Sequence, residues 1–367
     1  MSSSISSSEP HPDRRQGRRF VRLFAAALLG TLGLVVGGLA LLDATGRLPP
    51  PPLSGRWDLD LTLLRWRERP PPPADLLFAG SSVAFYGVDG TVVREGLGGG
   101  VRFRNVGLLG AKMHQTRFWL AFLLEREPRV RRVVLMSTYI DFEACPPATA
   151  RLFDPDEARD LLTRRYPLLY HHLRHLAPLR LLRDALDWPR RLRLGPDTLD
   201  TRRLEPWGGQ LLTVTRERVP ARIVRGIFPE PDPRCYRALG EIARMLEARG
   251  IDSVFVLAPM RPGYLAAWDP EGRGLADHMA RVRRALAGTG TRVVDLHREL
   301  ALPEEAFFDA YHLRAPWVRV QTRALVALLR EGGPRPPVAR RGQASVPARA
   351  VALRSPAARL RVRQISR

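Results

Sequence analysis

Residues 74–89 read "ADLLFAGSSVAFYGVD", and this stretch decides the fold. Residues 76–79 form a continuous apolar run that stops abruptly at Gly80, Ser81 and Ser82. A run without polar alternation is typical of a strand that is covered on both faces, as in a parallel sheet. The small residues after it have two interpretations: a turn that caps the next helix, or a strand end that presents a serine hydroxyl as a nucleophile.

Strand and helix patterns alternate between residues 75 and 330. The strand and helix patterns follow one another with short connections, which favours parallel strands joined by helices. We therefore expect an α/β fold: a doubly wound, parallel five-stranded sheet in a flavodoxin-like α/β/α sandwich. Residues 151–219 interrupt the alternation and predict a largely helical insertion between the third and fourth strands. The predicted strands are residues 75–80, 101–106, 132–137, 253–259 and 292–296, and the predicted helices are residues 112–127, 233–249, 274–287 and 315–330.

An uncharged apolar run occupies residues 23–42. At about 1.5 Å per residue it is long enough to cross the roughly 30 Å hydrocarbon core of a bilayer. Five arginines lie within residues 14–22, so residues 1–22 should stay in the cytoplasm and the rest should emerge outside. We expect a single-pass anchor in the cytoplasmic (inner) membrane and favour it over a cleaved signal peptide, because the apolar run is long and no good cleavage site follows.

Two further segments flank the predicted domain, which spans residues 75–331. Residues 43–74 contain two tetraproline runs and predict a stiff, proline-rich linker. Between these runs, Trp57, Leu61, Leu64 and Trp66 suit either a helix at the membrane interface or a lead-in that packs on the domain. Residues 332–367 carry nine arginines and no acidic residue, and predict a disordered basic tail that is solvated or contacts an anionic lipid or polymer.

The charge and cysteine content exclude some classes of function. The 367 residues carry a formal net charge of +22, almost all of it from arginine, and Lys112 is the single lysine. No zinc-finger spacing, RNA-binding aromatic signature or basic heptad accompanies that charge, so we expect no nucleic-acid partner. Cys145 and Cys235 show no metal-binding spacing. Two separate buried thiols are favoured over a disulfide, which remains the alternative outside the cytoplasm.

The candidate catalytic residues follow the carboxyl ends of predicted strands. Active sites of open parallel sheets lie at these strand ends. Acyl transfer needs a hydroxyl, an imidazole that takes its proton and a carboxylate that fixes the imidazole tautomer. Ser82 follows the first strand, and Asp309 and His312 share the loop after the fifth. Acyl transfer also needs backbone N–H donors for the developing oxyanion, which a glycine such as Gly110 presents without obstruction.

These residues make the chain resemble the SGNH/GDSL hydrolases over roughly residues 75–330. The family's G-D-S block matches Gly80-Ser81-Ser82, with serine in place of aspartate. Its N-x-G-x-x-G-like block matches residues 105–110, and its D-x-x-H-L block matches residues 309–313. The resemblance implies a catalytic triad of Ser82, Asp309 and His312, an oxyanion hole that includes Ser82 and Gly110, and no cofactor or metal.

One block departs from the family pattern. The family has G-x-N-D after the third strand, and its asparagine side chain is an oxyanion donor, whereas residues 137–141 read "STYID". Thr138 or Tyr139 offers a hydroxyl in its place.

The G-S-S form, the anchor and the insertion resemble a subgroup that includes alginate O-acetyltransferases and D-alanyl transfer proteins. This implies an extracytoplasmic serine esterase or O-acyltransferase acting on acyl, above all acetyl, esters of a cell-surface glycopolymer. The alternative is a weakly active or inactive module that binds or assembles such a polymer.

Other polar residues have a plainer interpretation. Ser81 is an alternative nucleophile, disfavoured because the family serine closes its triplet. His171, His172 and His175 invite a metal site, but no carboxylate pattern completes it, and a surface helix is favoured. Lys112 and His114 lie next to Gly110 in the sequence, and a solvated helix face is favoured for them over substrate contact.

Overall fold

The computed structural model of this chain describes residues 14–192, 205–213 and 230–331. Its centre is a five-stranded sheet in which every paired strand is parallel and the strand order is β2-β1-β3-β4-β5. This order is that of flavodoxin-like folds and confirms the predicted fold class. The strands are β1 (Leu76–Gly80), β2 (Phe103–Asn105), β3 (Arg132–Ser137), β4 (Asp252–Leu257) and β5 (Arg292–Asp295).

Helices cover both faces of the sheet, which is why its strands lack polar alternation. The α-helices of the described residues are α1 (Arg14–Ala44), α2 (Trp57–Glu68), α3 (Ser82–Tyr86), α4 (Gly90–Leu97), α5 (Met113–Leu124), α6 (Pro155–Leu162), α7 (Leu168–Arg174), α8 (Pro178–Leu192), α9 (Pro233–Ala248), α10 (Pro262–Trp268), α11 (Arg273–Leu286), α12 (Leu296–Leu300) and α13 (Ala315–Glu331).

Two hydrophobic cores lie on opposite faces of the sheet. Leu77 and Ala79 of β1 face the larger core, which α2, α5, α9 and α11 complete. Leu76 and Phe78 face the other core, against α4 and α13. Successive strand residues therefore enter different cores, as the period of two requires. The predicted strand at residues 101–106 shortens to β2 because an edge strand has one neighbour, and only Phe103–Asn105 pairs with β1.

The proline-flanked segment packs on the domain. Leu59 and Leu63 of α2 are fully buried in the larger core. Trp66 stacks on Trp119 of α5, with ring centroids 5.7 Å apart. The structure therefore confirms the lead-in that packs on the domain, and a position of α2 near a membrane interface stays a prediction.

The two cysteines form a disulfide, so the expectation of separate thiols was wrong. Cys145 lies in the loop after β3, and Cys235 lies in the first turn of α9. The two are 90 positions apart in the chain, and the fold brings them together. Asp232, the residue that caps α9, donates its N–H to Phe142 O at 2.7 Å and accepts the Cys145 N–H at 2.8 Å. These contacts hold the end of α9 against the loop.

Helix α1 is long and apolar enough to cross a membrane, and almost all of its most apolar stretch is exposed. It includes the predicted span at residues 23–42 and starts at the arginines before it. Residues 1–13, part of the predicted insertion, and the predicted basic tail at residues 332–367 lie outside the described residues.

Candidate active site

Three side chains, one from the first residue of α3 and two from the loop before α13, form a continuous hydrogen-bonded chain at the carboxyl end of the sheet. His312 Nε2 lies 2.8 Å from Ser82 Oγ, and His312 Nδ1 lies 2.7 Å from Asp309 Oδ2. Ser82 and His312 are partly exposed, whereas Asp309 is buried. The structure thus brings together all three residues that the sequence predicted as a triad, with the serine end open to solvent.

The turn before Ser82 depends on Gly80. Its φ is +140°, and a Cβ at this position would lie 1.9 Å from Met136 O of the neighbouring strand, so only glycine fits. The chain then turns directly into α3, whose first residue is Ser82 and whose N-cap is Ser81. Ser81 is buried, and its side chain hydrogen-bonds Asp141. Ser81 is therefore part of the support of the turn, and Ser82 is the serine that faces His312.

Asp309 is held as an acceptor on both carboxylate oxygens. Its Oδ1 accepts the backbone N–H groups of Tyr311 and His312, both at 2.9 Å, while Oδ2 faces the imidazole. Burial opposes ionisation of this carboxyl, but the charge of His312 and these hydrogen bonds outweigh it. The pKa of Asp309 therefore lies below its ordinary value. With Asp309 ionised, the His312 proton sits on Nδ1 and Nε2 is free to accept the serine proton.

The same interactions act on His312 with the opposite sign. Desolvation disfavours the imidazolium, but Asp309 favours it more strongly and Asp141 adds to that effect, so the pKa of His312 is raised. The ring of Tyr86 packs edge-on against the imidazole, with centroids 5.4 Å apart. These contacts fix the ring between its two partners and make it a stronger base than an isolated histidine.

The loop after β2 is tied to the helix that carries Ser82. Asn105 donates its side-chain N–H to Ala84 O at 2.7 Å, and its Oδ1 accepts the Gly107 N–H at 3.0 Å. A Cβ on Gly107 would lie 2.5 Å from Phe85 N, so this close approach requires glycine. Gly110 follows with φ +61° and is exposed. Its predicted role as an oxyanion donor stays a prediction.

Contacts that the sequence did not predict fix this loop from the other side. The Leu109 N–H donates to Asp58 of α2 at 3.2 Å, and Leu109 O accepts from the Arg56 guanidinium. Lys112 donates to Ile140 O at 2.8 Å and pairs with Glu143 at 3.0 Å. The segment before the domain and the loop after β3 thus both hold the loop that contains Gly110. No local sequence signal marks these contacts, because the partners are 28 to 53 positions apart.

The loop after β3, where the SGNH/GDSL pattern has an asparagine, contains the buried carboxylate of Asp141. Asp141 accepts hydrogen bonds from Ser137 Oγ and the Thr138 N–H, both at 2.9 Å, and it bonds Ser81. Burial raises the pKa of Asp141 above its ordinary value. Tyr139 turns its ring toward His278, with centroids 4.9 Å apart. Asp141 therefore links the turn at Ser82 to the end of β3, a role that the sequence did not reveal.

Several histidines lie elsewhere than expected. His171 and His172 are fully buried, so the expectation of a surface helix was wrong for both, and burial lowers the pKa of His172 to about 4. Glu157 lies 2.7 Å from His175 Nε2 and 3.6 Å from His171 Nδ1. Within the described ranges no cluster of three such side chains could hold a metal ion. His114 is buried too, bonded to Thr149 Oγ1 at 2.9 Å, so a solvated face was wrong there.

Comparison with known proteins adds little to this geometry. No family model and no curated protein matches the chain. Fourteen chains of solved structures match it. One of them, from Streptococcus pneumonia and provisionally described as a platelet activating factor, is 11% identical, and the alignment covers 79% of this chain and 98% of that one with a TM-score of 0.39. A superposition this loose says nothing about the chemistry of either site.

Proposed function

We propose that the protein is a membrane-anchored serine esterase or O-acyltransferase with Ser82 as nucleophile, His312 as base and Asp309 as the residue that orients the base. The observation that carries the proposal is the unbroken series of hydrogen bonds from Ser82 Oγ through His312 to the buried Asp309. A histidine hydrogen-bonded to a serine on one side and a carboxylate on the other is the arrangement that activates a serine hydroxyl. It also fits the resemblance to the SGNH/GDSL hydrolases.

The reaction would run in two steps. Ser82 Oγ attacks the ester carbonyl as His312 Nε2 takes its proton. The tetrahedral intermediate then expels the alcohol, which receives that proton, and leaves an acyl group on Ser82. In the second step His312 takes a proton from water, or from a hydroxyl of an acceptor sugar, whose oxygen attacks the acyl-serine. The acyl group leaves with that oxygen, and the proton returns to Ser82.

Backbone donors would stabilise the oxyanion. The N–H of Ser82 opens α3, and Gly110 lies exposed in the loop that Asn105, Asp58 and Lys112 hold in place. The missing asparagine donor predicts a modest rate, since losing one such donor costs roughly 10²–10³ in kcat. A small depression beside His312, lined in part by Val83, Tyr86 and Leu313, favours a small acyl group such as acetyl.

The topology completes the proposal. Helix α1 would anchor the protein in the cytoplasmic membrane, with the arginines at its start inside and the domain outside. The Cys145–Cys235 disulfide supports this side, because disulfides persist in oxidising compartments. The substrate would then be an acylated carbohydrate or another ester of the cell envelope.

Turnover of p-nitrophenyl acetate by the purified full chain tests this function. Ser82→Ala and His312→Ala should each remove nearly all of the activity, because the two residues act as one unit. Asp309→Ala should cost less, since this carboxylate exchanges no proton with the substrate. Ser81→Ala removes a hydroxyl that supports the turn but does not face His312, and it should keep far more of the rate than Ser82→Ala. Equal activity of Ser82→Ala and the wild type would reject the proposal.

The second candidate is a binding module that keeps the fold with little catalysis, which the loss of the third-block asparagine favours. Addition of an acceptor sugar separates the remaining alternatives. A transferase loses ester faster when its acceptor is present, and a plain esterase does not respond. A wild-type protein that turns over no small ester would favour the binding module.

A further inference from the structure

Helix α8 turns an apolar face outward. Leu179, Leu182 and Leu186 are 85%, 57% and 69% exposed and lie at the i, i+3, i+7 positions of one helix face. The opposite side packs on the protein through the buried Ala185 and the partly buried Leu181. An amphipathic helix usually buries its leucines, so this reversed arrangement needs an apolar environment outside the domain.

The position of α8 identifies that environment. Helix α7, which precedes α8, packs against α1. Leu39 of α1 is buried although the helix around it is exposed. Leu39 lies five residues before the end of α1 at Ala44, or about 7.5 Å along the helix axis. If α1 crosses a bilayer, the domain surface beside it is therefore already at the depth of the headgroups.

A second contact joins α8 to the end of the anchor. Pro49 and Pro50, which follow α1 closely, line a shallow depression together with Arg180, Leu181 and Asp184 of α8. Only four residues separate Ala44 from Pro49. If α1 crosses a bilayer, α8 therefore lies where the chain leaves it, and not on the far side of the domain.

We propose that α8 lies in the interfacial region of the same bilayer that α1 crosses, with Leu179, Leu182 and Leu186 among the upper acyl chains. The proposal rests on the proposed anchor and adds a second membrane contact to it. Arg183, 69% exposed at its side chain, lies beside the leucine face and can extend to lipid phosphates. Such a helix binds through its buried apolar area and its attraction to anionic headgroups.

This second contact would limit how the domain moves. The buried Leu39 and the packed prolines already attach α1 to the domain, and a second helix in the interface would restrict tilting about that attachment. The catalytic cleft would then be held in one orientation to the membrane surface. Leu173 of α7 and Leu176, which lies between α7 and α8, are also 36% and 40% exposed, so exposed leucines follow the chain from the helix that packs on α1 to α8. Their position beside the anchor favours lipid over a separate protein partner.

The test uses the full chain reconstituted in vesicles of phosphatidylcholine with phosphatidylglycerol. Both native cysteines are in the disulfide, so Leu182→Cys supplies a single thiol for an environment-sensitive fluorophore. Lipids with spin labels on the upper acyl chain should quench this fluorophore at least about threefold more than the same fluorophore at Val320→Cys, an exposed apolar position on α13. Adding Leu179→Glu and Leu186→Glu to the Leu182→Cys chain should remove most of that quenching.

The outcomes separate this inference from the anchor on which it rests. A fluorophore at Leu32→Cys reports whether α1 itself is inserted. Strong quenching at position 32 with no excess at position 182 would overturn the inference and leave the anchor standing. No quenching at position 32 would reject the anchor, and the inference with it. Quenching at position 182 that survives both glutamates would mean that the fluorophore alone enters the lipid, and crosslinking of position 182 between two copies would assign the leucines to a protein contact. Both results would overturn the inference.

Discussion

Asp60 gives a stability prediction whose size follows from the structure. This carboxyl lies buried in the first turn of α2, and its Oδ1 accepts the Ser54 N–H and hydroxyl, both at 2.7 Å. Burial outweighs these hydrogen bonds and the charge of Arg180, and raises the pKa of Asp60 to about 6 from an ordinary value of 3.8. The folded chain therefore binds this proton more tightly than the unfolded chain does.

The sign of the pH effect follows from that difference. Between about pH 4 and pH 6 the folded state holds more protons, so the free energy of unfolding falls as the pH rises through this window. Two pKa units correspond to about 3 kcal/mol, which is the cost of ionising Asp60 in the folded chain at pH 7.5. At pH 4 the cost is less than about 1 kcal/mol, because the proton is still bound.

Asp60→Asn removes this cost and keeps a carbonyl oxygen for Ser54. We expect the variant to be about 3 kcal/mol more stable than the wild type at pH 7.5, and nearly equal to it at pH 4. Thermal unfolding of the full chain in detergent, followed by circular dichroism, should show a Tm rise of roughly 5–10 °C at pH 7.5. Asp156→Asn, at an exposed carboxylate of α6, is the matched control and should shift neither Tm. An Asp60→Asn variant that is destabilised, or equally stabilised at both pH values, would refute the reasoning.

Two further predictions concern the pH dependence of the activity and the stability that the disulfide contributes. The kcat/KM for a small acetyl ester should rise with pH through a midpoint above about 6.5, because neutral His312 is the active base and Asp309 raises its pKa. In Asp309→Asn this midpoint should fall, and a rate profile with an unchanged midpoint would contradict the assignment. Replacing both Cys145 and Cys235 with alanine should cost about 4–5 kcal/mol of stability, since the bond closes a loop of 90 residues. Denaturant unfolding measures this loss, and a change below about 1 kcal/mol would count against a disulfide in the native protein.

The sequence predicted the sheet from local patterns, and it predicted that Ser82, Asp309 and His312 meet from their places after strands together with the resemblance to the SGNH/GDSL blocks. A continuous apolar run identifies a strand that is buried on both faces, and the carboxyl ends of parallel strands meet at one edge. Ser82 and His312 were therefore expected at the same edge of the sheet. The shared edge does not by itself join them, because β3 and β4 lie between β1 and β5. The match to the family's serine and D-x-x-H-L blocks selected this pair, whose hydrogen bond joins positions 230 apart.

Contacts without such a rule could not be predicted. The hydrogen bond from the Leu109 N–H to Asp58 joins the loop after β2 to α2, and nothing in the sequence of either segment identifies the other as its partner. The disulfide depends on how α9 packs against the loop after β3. His171 and His172 are polar residues that sequence reasoning places on a surface, and only the packing of α7 shows that they are buried. In each case the deciding contact is tertiary.

The central claim is that Ser82 is an activated nucleophile, and covalent labelling tests it most directly. The full chain in detergent is treated with a serine-directed fluorophosphonate, digested and mapped by mass spectrometry. The account predicts one adduct, on Ser82, whose formation slows strongly in His312→Ala and continues in Ser81→Ala. No adduct on Ser82, or an adduct that forms equally fast in His312→Ala, would contradict it.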